Sequence, residues 1–205
     1  MLNVGKIRSL IEEARATERS SSVLYRAVTE LARQNGMRIS ALEAGKVIDF
    51  ATGYIEQVPE LMSAVDNAVA ANGKPSGVRP LLEAIEEFFL APDDIIPDHF
   101  GLAGLLDDAY LAHRLLAVAS EALEAQSGRT FMSPDATQAD LFIRRLIGEP
   151  FATILDEHVT RTIEELGGAQ TAGRMLIELA EVELSSIAGF FRWNALVTEI
   201  TGVRI

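Results

Sequence analysis

Apolar residues recur every third or fourth position through most of this chain, and the two-residue alternation of a half-buried strand is nearly absent. That spacing restricts the fold to packed helices. Val4, Ile7, Leu10, Ile11 and Ala14 make the first stripe. Ser20 to Ser22 offer caps for a second helix with Val23, Leu24, Ala27, Val28 and Leu31 inward, and Gly36 supplies its stop. Ser40 and Glu43 have the spacing of a capping box and open a third helix that runs to Val58. Pro59 is expected to begin a fourth, because proline suits a first helical turn and lacks the N–H that an interior position needs. Further helices are expected at 80–90, 104–126, 136–147, 151–166 and 171–200, with linkers at 73–77 and 128–134. The expected fold is all-α. It is a compact bundle of eight or nine helices forming one domain over residues 1–205, built around a central helix–loop–helix at 78–127.

Charge narrows the partners. The formal net charge is -12, which favours solubility and repels nucleic acid and anionic lipid. Residues 1–38 run against this trend: Lys6, Arg8, Arg15, Arg19, Arg26, Arg33 and Arg38 outnumber Glu12, Glu13, Glu18 and Glu30. A basic arm on an acidic body is expected to dock on that body. The absence of cysteine removes disulfides, thiolate metal sites and cysteine nucleophiles, and fits a cytoplasmic location. Lys6 and Arg8 interrupt the first apolar run, so no signal peptide is expected. No apolar run approaches the ~18 residues of a membrane span, so no stable membrane insertion is expected. No Glu-x-x-His, His-Glu-x-x-His, Gly-x-Ser-x-Gly, P-loop or Gly-x-Gly-x-x-Gly occurs. No catalytic residue is assigned.

One loop stands apart. Ala91-Pro92-Asp93-Asp94-Ile95-Ile96-Pro97-Asp98-His99-Phe100-Gly101, followed by Asp107-Asp108, sets acids and prolines between two helices. Pro97 fixes its own φ and drives Ile96 out of the helical region, so the preceding helix must stop. Gly101 and Gly104 permit close approach or positive φ at the entry to the next helix. Helix phase sets Asp108 within the stripe of Leu105, Ala112, Leu115 and Leu116, and sets Asp107 at the polar border beside Arg114. A buried Asp108 needs donors, a cation or a proton, and Asp98, His99 and Arg79 are the nearest candidates. His113 is expected at a helix boundary face and His158 on a solvated one.

Leu90-Ala-Pro-Asp-Asp-Ile-Ile-Pro-Asp-His, followed by Gly104-Leu-Leu-Asp-Asp, resembles the YkvA-like family of small bacterial helical domains of unknown function. Pro92, Asp94, Ile96, Pro97, Asp98, Gly104, Leu106, Asp107 and Asp108 carry the resemblance, which covers residues 78–120. Asp93 and His99, together with the acidic Glu83, Glu86 and Glu87, depart from the family pattern toward greater polarity. The resemblance implies a helical domain and no particular reaction.

Two uses of the motif remain open. In the first, Pro97, Asp98, Gly104 and Asp108 form a structural clasp that ties the loop to the following helix. In the second, Asp94, Asp98, His99 and Asp108 hold a divalent metal; oxygen ligands favour Mg²⁺, Ca²⁺ or Mn²⁺, and His99 would admit Zn²⁺ or Fe. Phe190, Phe191, Trp193 and Leu196 give the last helix apolar area on more than one face, which makes them either core or the anchors of a partner surface. The expected function is a non-enzymatic helical interaction or regulatory module without a cofactor, paired with a protein partner or a second copy. The alternative is a divalent-metal-binding protein or a metal-dependent hydrolase.

Overall fold

A computed structural model of the chain describes residues 2–72, 77–91, 95–96, 98–129, 131–132 and 134–180. Among these residues the regular structure is helical throughout, with no strand. The α-helices are α1 (Val4–Ser21), α2 (Val23–Gln34), α3 (Ala41–Asn72), α4 (Arg79–Leu90), α5 (Leu105–Ser127), α6 (Pro134–Ile147), α7 (Phe151–Glu165) and α8 (Ala169–Ala180). A short 3-10 segment, Asp98–Ala103, leads into α5. None of the helices described is long and apolar enough to cross a membrane.

The expected break at Pro59 does not occur. Pro59 lies inside α3, which runs on to Asn72. Burial explains why. Ala44, Val47, Ala51, Tyr54, Val58, Leu61 and Val65 are all buried and keep an unbroken three–four spacing through the proline. Packing on both sides of Pro59 outweighs one lost backbone bond and its steric strain, a cost of about 3 kcal/mol. The Ser63 hydroxyl donates to the Pro59 carbonyl at 2.8 Å in the following turn.

The capping box forms: the Ser40 N–H donates to Glu43 Oε2 at 2.7 Å, and the Glu43 N–H donates to Ser40 Oγ at 3.2 Å. Gly36 takes φ +72° after α2, and the Met37 N–H returns to the Ala32 carbonyl. Ser21 and Ser22 do not cap α2 by their side chains. Ser22 has φ 53° and makes no side-chain cap. The buried Glu18 carboxylate takes over, accepting the Leu24 and Tyr25 N–H groups at 3.1 and 3.2 Å. A carboxylate there also complements the positive end of the helix.

A single cluster of buried apolar side chains extends from Leu2 to Leu176. Within it α5 is the most enclosed helix, touching α3, α4, α6, α7 and α8. Leu105 to His113 are buried without interruption. Helix α8 makes the broadest of these contacts, and Gly173 brings it close: a Cβ at Gly173 would lie 2.8 Å from the Leu123 backbone nitrogen. Helices α1 and α2 pack on α3 and on the 3-10 segment. The basic arm meets acids of α3, with Arg8 on Glu60 at 2.9 Å and Arg15 on Glu56. These exposed pairs guide packing more than they stabilise it. The expected final helix at 171–200 is described as α8 to Ala180; Phe190, Phe191, Trp193 and Leu196 lie outside the described residues.

Candidate functional site

The motif junction is held by Asp107. Its Oδ2 accepts the Ile96 N–H at 2.9 Å across the turn between α4 and α5. Helix phase had assigned that inward position to Asp108 and left Asp107 at the polar border. Both are buried, at 1% and 3% exposure. Asp108 faces inward as expected, and Asp107 does so too because α5 is covered on every side in its first turns, which leaves no polar border there. Gly101 is the residue that lets the chain pass. It has φ 69° and ψ -133°, a region essentially closed to side-chain-bearing residues, and a Cβ there would sit 3.0 Å from the Ala14 carbonyl oxygen of α1. Gly104 has φ -73° and needs no such freedom.

The other motif residues fall as follows. Asp94 and Pro97 lie outside the described residues, and Asp98 is described by its backbone alone. His99 is exposed, with its ring 4.4 Å from that of Phe100, and faces α1 across a cleft of about 280 Å³ shared with Glu13 and Thr17. Asp108 lines a different groove, of about 340 Å³, between α4, α5 and α7. That groove carries Glu83, Glu87, Asp107, Asp108, Glu165 and His158 over an apolar floor of Phe88, Leu111 and Leu166. His158 is thus half-buried rather than solvated, edge-on to Phe88 at 5.7 Å, and its pKa is lowered by burial and then by Arg161. Arg79 is engaged with Glu83 on its own helix at 2.8 Å. Among the described residues no three His, Asp or Glu side chains gather closely enough to hold a metal ion.

A second polar site was not anticipated. It lies between α5, α6 and α7, around a cleft of about 240 Å³. Two tyrosine–aspartate–arginine sets meet there. In the first, the Tyr54 hydroxyl donates to Asp140 Oδ1 at 2.8 Å, and Arg114 Nη1 stands 3.8 Å from Asp140 Oδ2. In the second, the Tyr110 hydroxyl donates to Asp156 Oδ1 at 2.7 Å, while Arg144 Nε donates to Asp156 Oδ2 at 2.9 Å and Arg144 Nη1 pairs with Glu149 at 2.9 Å. His113 supports the first set from behind: its ring lies 4.0 Å from that of Tyr54, and Nε2 is 3.0 Å from the Tyr54 carbonyl oxygen. It is fully buried rather than at a boundary, and burial lowers its pKa to about 4, so the ring is neutral.

The two aspartates differ in surroundings. Asp140 is 2% exposed, and burial pushes its pKa up to about 7 against the opposing pull of Tyr54 and Arg114. Tyr54 is raised well above the usual phenol range, first by burial and then by the charge of Asp140. Asp140 is therefore a carboxyl that can take up or release a proton near neutral pH. The clue in the sequence was its phase: Asp140 falls on the α6 stripe between the buried Ala136 and Ile143.

Comparison of the chain with protein-family models, with curated proteins and with solved structures finds no match.

Proposed function

We propose that this chain is a non-enzymatic helical interaction or regulatory module, with the Ile95-Ile96-Pro97-Asp98 turn as a structural clasp of the YkvA-like kind within the helix–loop–helix at 78–127. The observation that supports this reading is the bond from the Ile96 N–H to Asp107 Oδ2 at 2.9 Å. It spends a motif carboxylate on the loop backbone. A half-buried backbone N–H gains from such an acceptor, and a carboxylate supplies a strong one. Asp98 and Asp108 complete the clasp in this reading, and a protein partner or a second copy docks on apolar surface elsewhere. Phe151 and Ile154, both exposed on α7, are surface of that kind. A cytoplasmic location accords with a chain that has no cysteine to oxidise.

A second reading keeps Asp94, Asp98, His99 and Asp108 as ligands of a divalent cation, with Asp108 on the acid-lined groove. Metal analysis of protein purified without chelator separates the two. The clasp reading expects substoichiometric metal and the same melting temperature with and without EDTA. Stoichiometric metal that disappears in a folded Asp108→Asn variant would replace it with the metal reading. Light scattering across a concentration series tests self-association.

A further inference from the structure

We propose that the cleft between α5, α6 and α7 binds a short-chain monocarboxylate, held between the Arg114 guanidinium and the carboxylic acid form of Asp140. Arg144 has two carboxylate partners at 2.9 Å, on Asp156 and Glu149. Among the described residues Arg114 faces the Asp140 carboxylate at 3.8 Å, beyond hydrogen-bond distance. Asp140 Oδ2 is buried and has no hydrogen-bond partner among the described residues. A fork of donors on α5 and a carboxyl on α6 with one open, buried oxygen thus border the same cleft.

Protonation of Asp140 relieves the buried charge and converts its open oxygen into a donor. Arg114 then loses its counter-charge while half-buried against the cleft. An anion placed between them receives hydrogen bonds from both. Asp140 titrates near neutral pH, so this state is accessible. The groups facing Asp140 are Tyr54 on α3, Tyr110 and Arg114 on α5, Arg144 on its own helix and Asp156 on α7. Both tyrosines are raised by burial and the neighbouring His113 is lowered by burial, so these three keep their charge between pH 6 and 8.

The surroundings select the ligand class. Asp156 and Glu149 oppose a dianion, as does the net charge of -12, so phosphate dianion is disfavoured. Val118, Leu141 and Val159 give the cleft an apolar wall for a short hydrocarbon tail. A volume of about 240 Å³ admits only a few carbons beyond the carboxylate.

Butyrate is the probe, titrated into the full chain at pH 6, 7 and 8 and followed by side-chain Nε resonances in NMR, with butyramide and sodium chloride as controls. Butyrate should shift the Arg114 signal, and its affinity should fall about tenfold from pH 6 to pH 8 as Asp140 ionises. One proton should be taken up per butyrate bound at pH 8, read in weakly buffered solution. Arg114→Gln should abolish binding. Asp140→Asn should bind butyrate with no pH dependence, because the amide donates at every pH. If that variant does not fold, the proton uptake of the unaltered chain decides. Absence of binding at pH 6, equal affinity at pH 6 and 8, equal binding of butyramide, or binding retained in Arg114→Gln would each overturn the proposal.

Discussion

Replacing Gly173 with alanine tests how closely α8 sits on α5. In an open helical position Gly→Ala stabilises by about 1 kcal/mol, since alanine loses less backbone freedom on folding. Gly53 in α3 is such a position, with no atom within 4 Å of a built Cβ. At Gly173 the same carbon would meet Leu123 N at 2.8 Å and Ala122 carbonyl C at 2.9 Å. Carbon atoms pack comfortably at about 3.5–4.0 Å, and the obstructing atoms are backbone, so one helix must move away from the other. Overpacking of this kind costs about 1–3 kcal/mol. The propensity gain is common to both variants and cancels between them. Urea unfolding should therefore find Gly173→Ala less stable than Gly53→Ala by about 1–3 kcal/mol. Each kcal/mol is about 2–4 °C in Tm for a chain of this size, so the gap should also appear on heating. Equal stabilisation by the two substitutions would refute the close approach of α8 to α5.

Other outcomes follow from the same contacts. Asp107→Ala removes the acceptor of the Ile96 N–H and should destabilise the fold by about 1–3 kcal/mol in urea, with Asp107→Asn costing less because its amide oxygen still accepts. Glu18→Ala strips two N–H groups at the start of α2 of their acceptor and should cost about 1–2 kcal/mol by the same measurement. Asp140 holds its proton more tightly when folded, near pH 7, than when unfolded, near pH 3.8. Its contribution is thus most favourable at low pH and is lost as pH rises between those values; Asp140→Asn should flatten that part of the urea-midpoint profile. Gly101→Ala should destabilise through both its φ of 69° and the Ala14 carbonyl, and a melting curve unchanged from that of the parent would contradict the path described for the loop.

Much of the helical skeleton was legible in the chain. Short-range signals wrote it: the three–four spacing of apolar residues, the Ser40–Glu43 box and the Gly36 stop each act within one or two turns and need no distant partner. Where local rules misled, a longer-range contact had won. Pro59 reads as a helix start, yet a continuous buried stripe carries α3 through it. The serines before α2 read as caps, yet Glu18 of the preceding helix accepts the Leu24 and Tyr25 N–H groups.

For the sites the division is sharper. The sequence by itself determined that the helical path is interrupted between α4 and α5 and that acids cluster at the start of α5. That Asp107 also turns inward and accepts the Ile96 N–H was a tertiary matter, because helix phase ranks faces only when one of them meets solvent, and α5 has none there. The Tyr54–Asp140–Arg114 set was beyond local reading altogether. Its members come from α3, α6 and α5 and are brought together only by packing, which also supplies the burial that moves the Asp140 proton toward neutral pH.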